Sequence, residues 1–186
     1  MPEEATRRAG RGTPSAPFGR GSVSLGIYVY SGESQDDPTH RVETLLAMAR
    51  LAEEVGFDGV TASEHHRGRE GYMPNPLQLA GWYLEQSDRV WAAPCPLVLP
   101  LRTPLVLGEE IAWLDARFPG RVGATFAAGA DDEDFSALGV PFDGRVAAYE
   151  SGLFAVAELL AGRGGEAGRD VAVRRCARTG VPLASG

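Results

Sequence analysis

Gly56-Phe57-Asp58-Gly59-Val60-Thr61-Ala62-Ser63-Glu64-His65-His66 is the stretch on which the fold turns. Before it, residues 39–55 carry Val42, Leu45, Leu46, Ala49, Ala52 and Val55 at spacings of three and four, which places them on one face of a helix. Gly56 reads as the left-handed residue that closes this helix, and the apolar run at 57–62 is short and bounded, as expected of a strand buried on both faces. Titratable residues gather where that strand ends. In parallel α/β folds ligands bind at the C-terminal edge of the strands, so Glu64, His65 and His66 are the first candidates for a site.

Working outward, the chain alternates strand and helix. Residues 23–30 form a first strand, and 31–38 a polar loop carrying Glu33, Asp36 and Asp37. His40 opens the helix that follows and reads as a surface residue. After a loop at 67–74, Asn75-Pro76 starts a helix with a capping side chain and a first-turn proline. A third strand at 90–101 is interrupted by Pro94, Pro96 and Pro100, which a regular ladder does not accept, so they mark a bend or bulge. Pro104 begins a third helix that ends at Pro119-Gly120, and 122–128 is a fourth strand of small and apolar residues. An acidic turn, Asp131-Asp132-Glu133-Asp134, reads as solvated. A short helical piece to Leu138, a helix at about 144–161, a Gly-rich linker at 162–168, a helix at 170–178 and a strand at 181–184 complete the chain. Repeated strand-helix units imply a parallel sheet, because each parallel pairing needs a crossover. Tyr30-Ser31-Gly32-Glu33-Ser34 lacks the glycine spacing of a dinucleotide fingerprint and there is no Walker sequence, which favours a barrel over a doubly wound sheet.

Composition narrows the function. With 186 residues, 44% hydrophobic and 23% charged, the chain is an ordinary globular one. One domain is expected at 21–186, after a structureless Arg-, Gly- and Pro-rich tail at 1–20. A net charge of -7 without a clustered basic patch argues against nucleic-acid binding. Cys95 and Cys176 fit no metal spacing and read as reduced thiols, consistent with a cytoplasmic protein. No apolar run approaches a membrane span, and the N-terminus has no signal-peptide core.

The order Gly56-Phe57-Asp58-Gly59-Val60, Glu64-His65-His66, Asn75-Pro76, Val98-Leu99-Pro100 with Pro104, Leu114-Asp115, Gly120-Arg121, and Asp134-Phe135 with Gly139 resembles the bacterial luciferase family of flavin-dependent monooxygenases. The resemblance covers roughly residues 23–161 and implies a (β/α)8 TIM-barrel fold. It also implies an oxidoreductase acting on paired donors: a reduced flavin (FMN or a deazaflavin), molecular oxygen and a small organic substrate. A flavin reductase and a homodimer built on the early helices are the implied partners, with Leu79, Trp82 and Trp113 at the dimer contact or, equally, in the core.

Carried over by position, the resemblance makes His65 the catalytic histidine, with His66 beside it and Glu64 orienting the pair or meeting an arginine. An imidazole titrates near neutrality, which suits proton transfer. The family's cis peptide under the flavin ring aligns with Cys95-Pro96, and a proline at 96 makes a cis bond there less costly. The family's phosphate-binding arginine after the fourth strand aligns with Ala128, before Gly129; a second arginine falls near Arg145, which becomes the expected phosphate contact. The missing arginine leaves room for a deazaflavin or a loosely held flavin. A full barrel takes about 250 residues, so only the first four to five units are expected here and truncation is favoured. Two alternatives stand beside the enzyme: a non-catalytic flavin-binding or subunit-interaction protein, and a metal-dependent hydrolase using Glu64, His65 and His66. Adjacent strand residues point to opposite faces, which disfavours the last.

Overall fold

A computed structural model describes residues 15–28 and 37–185. Strand β1 (Ser24–Gly26) is followed by helix α1 (Pro38–Val55), β2 (Gly59–Ala62), α2 (Pro76–Glu85), β3 (Trp91–Pro94) and β4 (Leu97–Val98). Then come α3 (Pro104–Arg117), β5 (Ala124–Ala127), the short α4 (Asp132–Ala137), α5 (Arg145–Leu160), α6 (Val171–Thr179) and β6 (Leu183–Ser185). All strand pairs are parallel. β1, β2 and β3 form one ladder, β4, β5 and β6 another, and a bridge between Ala92 and Val122 joins them into one curved sheet.

The local signals set the element ends. Asp37 accepts a hydrogen bond from the Thr39 N–H and Pro38 occupies the first turn of α1, while Gly56 closes that helix at φ 100°. Asn75 caps α2 through the Gln78 N–H, ahead of Pro76. His40 is exposed in the first turn of α1.

Among the described residues, the helices pack on one face of the sheet. Leu45, Ala49 and Ala52 of α1 and Leu79, Ala80 and Tyr83 of α2 pack on Val60, Ala62 and Ala92. Leu107, Ile111, Val156, Leu159 and Val173 pack on Leu97, Ala124 and Phe126. Strand alternation therefore leaves Gly26, Thr61, Trp91, Ala93, Thr125 and Ala127 on the inner, concave face. Trp91 floors that hollow at the N-terminal ends of the strands. Its ring lies against Gly59, where a Cβ would come within 2.2 Å, its indole N–H donates to Ser22, and Phe18 meets it edge-on at 5.1 Å.

Two expectations change. Within the stretch read as a tail, Pro17 is buried and Phe18 packs on Trp91, because the floor of the hollow needs an apolar plug; residues 1–14 lie outside the described residues. The strand expected at 90–101 is two short strands and a helical turn, and the chain changes pairing partner from β2 to β5 between them. Of the three residues read as dimer contact or core, Leu79 is core at 1% exposure, Trp82 packs at the edge of the same cluster and Trp113 is exposed. The first strand as expected at 23–30 runs into undescribed residues, and the described ladder covers 24–26.

Candidate active site

Beyond Ala62 the chain leaves β2 and delivers Ser63, Glu64, His65 and His66 to the C-terminal rim of the sheet. The turn after β3 arrives at the same place. Cys95 N–H donates to Ala62 O at 2.7 Å, Ser63 Oγ donates to Cys95 O at 2.6 Å, and Glu64 N–H donates to Pro96 O at 3.3 Å. The Cys95-Pro96 peptide is cis, as expected. Hydrogen bonds on both sides of it therefore hold this bulge one residue from His65, and Cys95, Pro96 and His65 are all half-buried.

The two histidines have different partners. His65 Nδ1 lies 2.9 Å from Asp134 Oδ2, and the His66 backbone N–H donates to Asp134 Oδ1 at 3.1 Å. Asp134 is 3% exposed. Burial pushes its carboxyl up, but the hydrogen bonds from His65 and the His66 N–H, with the positive charge both histidines can carry, outweigh that and hold it below its ordinary value. An ionised Asp134 fixes the Nδ1–H tautomer of His65, leaving Nε2 as the nitrogen that can take a proton. His66 Nε2 instead faces Glu64 Oε1 at 3.0 Å.

Glu64 is fully engaged inside the protein. Oε2 accepts the Val98 N–H at 2.7 Å and Oε1 accepts Arg102 Nη2 at 2.6 Å, so one carboxylate ties β2, β4 and the turn before α3 together. Glu64 thus faces His66 and meets an arginine at once, and both of its carboxylate oxygens have partners within the protein.

The acidic turn is not simply solvated. Arg67 pairs with Glu133, Arg69 pairs with Asp131, and Arg67 Nε also lies 3.8 Å from Asp134 Oδ1. Two arginines on the loop after β2 thus neutralise the carboxylates on the loop after β5, which lets Asp134 approach His65. His65, Asp131 and Asp134 bring ligand atoms within 4.8 Å of one another, but with two guanidinium groups at the cluster the site opposes a cation. The hydrolase set of Glu64, His65 and His66 does not converge, because the imidazoles point to separate carboxylates.

At the end of β5, Ala128 and Gly129 are half-buried. Gly129 sits at φ 83°, where a Cβ would come within 2.7 Å of Phe135 and Val98, so glycine is required here by close packing. Its carbonyl accepts Arg145 Nε at 3.0 Å, and the Arg145 guanidinium lies 3.8 Å above the Phe142 ring. With Nε and one face occupied, Arg145 keeps two Nη groups for an anion.

A family model described as luciferase-like monooxygenase matches residues 23–179. The chain belongs to that family. Among luciferase-like relatives, it is 29% identical over 116 residues to the alkanal monooxygenase alpha chain of Photorhabdus luminescens, covering 62% of this chain and 32% of the relative. It is 30% identical over 95 residues to the luciferase-like monooxygenase of Escherichia coli K12, covering 50% of this chain and 28% of that one. The chain thus aligns with about a third of the curated relatives it matches. Among solved luciferase-like structures, monooxygenase RslO1 from Streptomyces bottropensis superimposes with TM-score 0.70 at 25% identity, over 75% of this chain and 43% of that one. The oxygenating constituent of 3,6-diketocamphane monooxygenase from Pseudomonas putida, in complex with FMN, gives 0.68 at 23% identity, which speaks to the fold alone. The luciferase-like TIM barrel is therefore the fold, present here in part.

Asp134, Arg102, Arg67 and Arg69 were not singled out as site residues from sequence. Asp134 lies 69 residues from His65 and Arg102 lies 38 from Glu64, and each carries a local reading, as part of a charge run or of a loop, that hides its partner.

Proposed function

We propose that this chain contributes the first strand-helix units of a luciferase-like, flavin-dependent oxidoreductase in which His65 handles protons. The substrate class is a small organic molecule, with molecular oxygen as the second acceptor. The observation that carries the reading is His65, oriented by Asp134, one residue from the half-buried Cys95-Pro96 bulge.

The residues fit a flat cofactor ring. On the concave face the side chains of Ala93 and Ala127 are small, and the buried Thr125 Oγ1 has no hydrogen-bond partner among the described residues. Cys95, Pro96, Ala128 and Gly129 would border the ring, and Arg145 would contact a flavin phosphate through its Nη groups. The bound flavin supplies the redox chemistry. His65 Nε2 takes or returns a proton while Asp134 holds the ring and stabilises its charged form. Glu64 and Arg102 keep His66 and the bulge in register, and Trp91 with Phe18 closes the floor of the hollow against water. With alanine at 128, one arginine contact to phosphate is absent, which favours weaker FMN binding or a deazaflavin. A flavin reductase would deliver the reduced cofactor, and a homodimer would rest on exposed helix surface near Trp113.

Titration of FMN and of the deazaflavin F420 into the chain, followed by visible absorption and fluorescence, tests binding; oxidation of the reduced cofactor under oxygen tests turnover. His65→Ala is expected to retain binding within about threefold and to lower turnover by about 10²–10⁴. Binding without turnover in the unaltered chain would select the non-catalytic flavin-binding reading instead. No binding of either cofactor would end both.

A further inference from the structure

We propose that Tyr28 is a specificity-determining residue of the hollow: its phenol oxygen accepts a hydrogen bond from a hydroxyl or N–H group on a planar organic substrate. Ser63 Oγ lies 2.6 Å from the Cys95 carbonyl, and a carbonyl can only accept, so the single Ser63 hydroxyl hydrogen is committed there. Tyr28 OH lies 3.0 Å from Ser63 Oγ. Between those two oxygens Tyr28 must therefore be the donor. The chain Tyr28 O–H to Ser63 O–H to Cys95 O=C runs in one direction, and it leaves the Tyr28 oxygen with a lone pair and no hydrogen for a ligand.

The side chain is placed to use that lone pair. A Cβ on Gly26 would meet Tyr28 Cε2 at 3.2 Å and its hydroxyl at 3.6 Å, with Thr61 Oγ1 also at 3.6 Å, so the ring folds back over β1 on the concave face. It stays 36% exposed. Tyr28 meets Tyr72 edge-on at 5.3 Å, and Tyr72 meets His65 edge-on at 4.4 Å. One aromatic wall thus runs from the acceptor oxygen to the proton-handling histidine, which suits a flat, unsaturated ligand. A ligand that offers an ether oxygen at that end of the wall would meet a lone pair instead of a proton. This inference rests on the proposed reading only in taking the concave hollow as the binding site.

The test uses the full chain and two probes of one shape, p-cresol and its methyl ether, with affinities from ligand-observed NMR titration. The unaltered protein is expected to prefer the phenol by roughly five- to tenfold. Tyr28→Phe should bring the ratio to about one. Ser63→Ala releases the Tyr28 proton towards the hollow, so the ether should gain affinity and the ratio shrink while phenol binding holds; this arm stands if Tyr28→Phe fails to fold. An unchanged ratio in both variants would overturn the proposal, as would the absence of a preference or of any binding at millimolar probe. So would a Tyr28→Phe change in FMN affinity with the ratio unmoved, because the acceptor would then face the cofactor. A parallel FMN titration keeps the two readings apart: loss of FMN binding with the phenol preference intact sinks the cofactor assignment and leaves Tyr28 in place.

Discussion

Neutralising Glu64 should destabilise the chain, and neutralising its arginine as well should cost less than the two changes made separately add up to. Glu64 has a side chain only 1% exposed and Arg102 one 17% exposed, with Nη2 to Oε1 at 2.6 Å. Breaking such a buried pair from one side leaves an uncompensated charge, at a cost of about 3–5 kcal/mol. Glu64→Gln still offers an oxygen to the Val98 N–H, so its cost comes from the stranded Arg102 and falls below that range, at about 2–3 kcal/mol. Arg102→Met strands a carboxylate left with only the Val98 N–H and His66 as partners, and should cost about 3–5 kcal/mol. In the double variant neither charge is left over. Its cost should therefore fall short of the sum of the singles by about 2 kcal/mol or more. Urea unfolding followed by tryptophan fluorescence reads this, since Trp91 is 1% exposed and reports loss of the floor of the hollow. Additivity within about 0.5 kcal/mol would refute the claim that this pair acts as a buried clasp.

Two further outcomes follow from the titrating groups. Because the Asp134 carboxyl is held below its ordinary value of 3.8, the native state binds fewer protons there than the unfolded chain. Its stabilising contribution is complete above that ordinary value and is lost as pH falls through the folded value. The stability gap between the unaltered chain and Asp134→Asn, measured by urea unfolding, should be present at about pH 5 and shrink as the pH falls below about 4. Burial, with the neighbouring Asp115 charge, pushes the Cys176 thiol up to about 11, whereas Cys95 is half-buried at the rim. A thiol reagent such as dithionitrobenzoate should therefore label Cys95 in the native protein at neutral pH and reach Cys176 only on unfolding; fast labelling of both would contradict the packing of α6 on α3.

What the sequence carried well was local. Gly56, Asn75-Pro76 and Pro104 mark helix ends by backbone geometry and capping, which depend on a few neighbouring residues, and each stands where expected. The run at 57–62 announces its strand by bounded apolarity, and its C-terminal edge holds the histidines. Long-range partners were a different matter. Asp134 looks like one of four acidic residues in a surface turn until the fold brings it to His65 and sets Arg67 and Arg69 over its neighbours. Likewise Glu64 could orient a histidine or bind an arginine on sequence grounds, and only the bend after β3 shows that it does both. Phe18 sits in a segment of tail-like composition, and the need to plug the hollow above Trp91 outweighs that composition.

The central claim, that a flat cofactor lies between His65 and the Cys95-Pro96 bulge, is tested most directly by amide chemical shifts of the 15N-labelled chain as oxidised FMN or F420 is added. Ring currents should move the amides of Glu64, His65, His66, Cys95 and Leu97 together and saturably, while those of Leu45, Ala49 and Ala52 on the outer layer stay still. Saturable shifts centred away from this rim, or none with either cofactor, would contradict it.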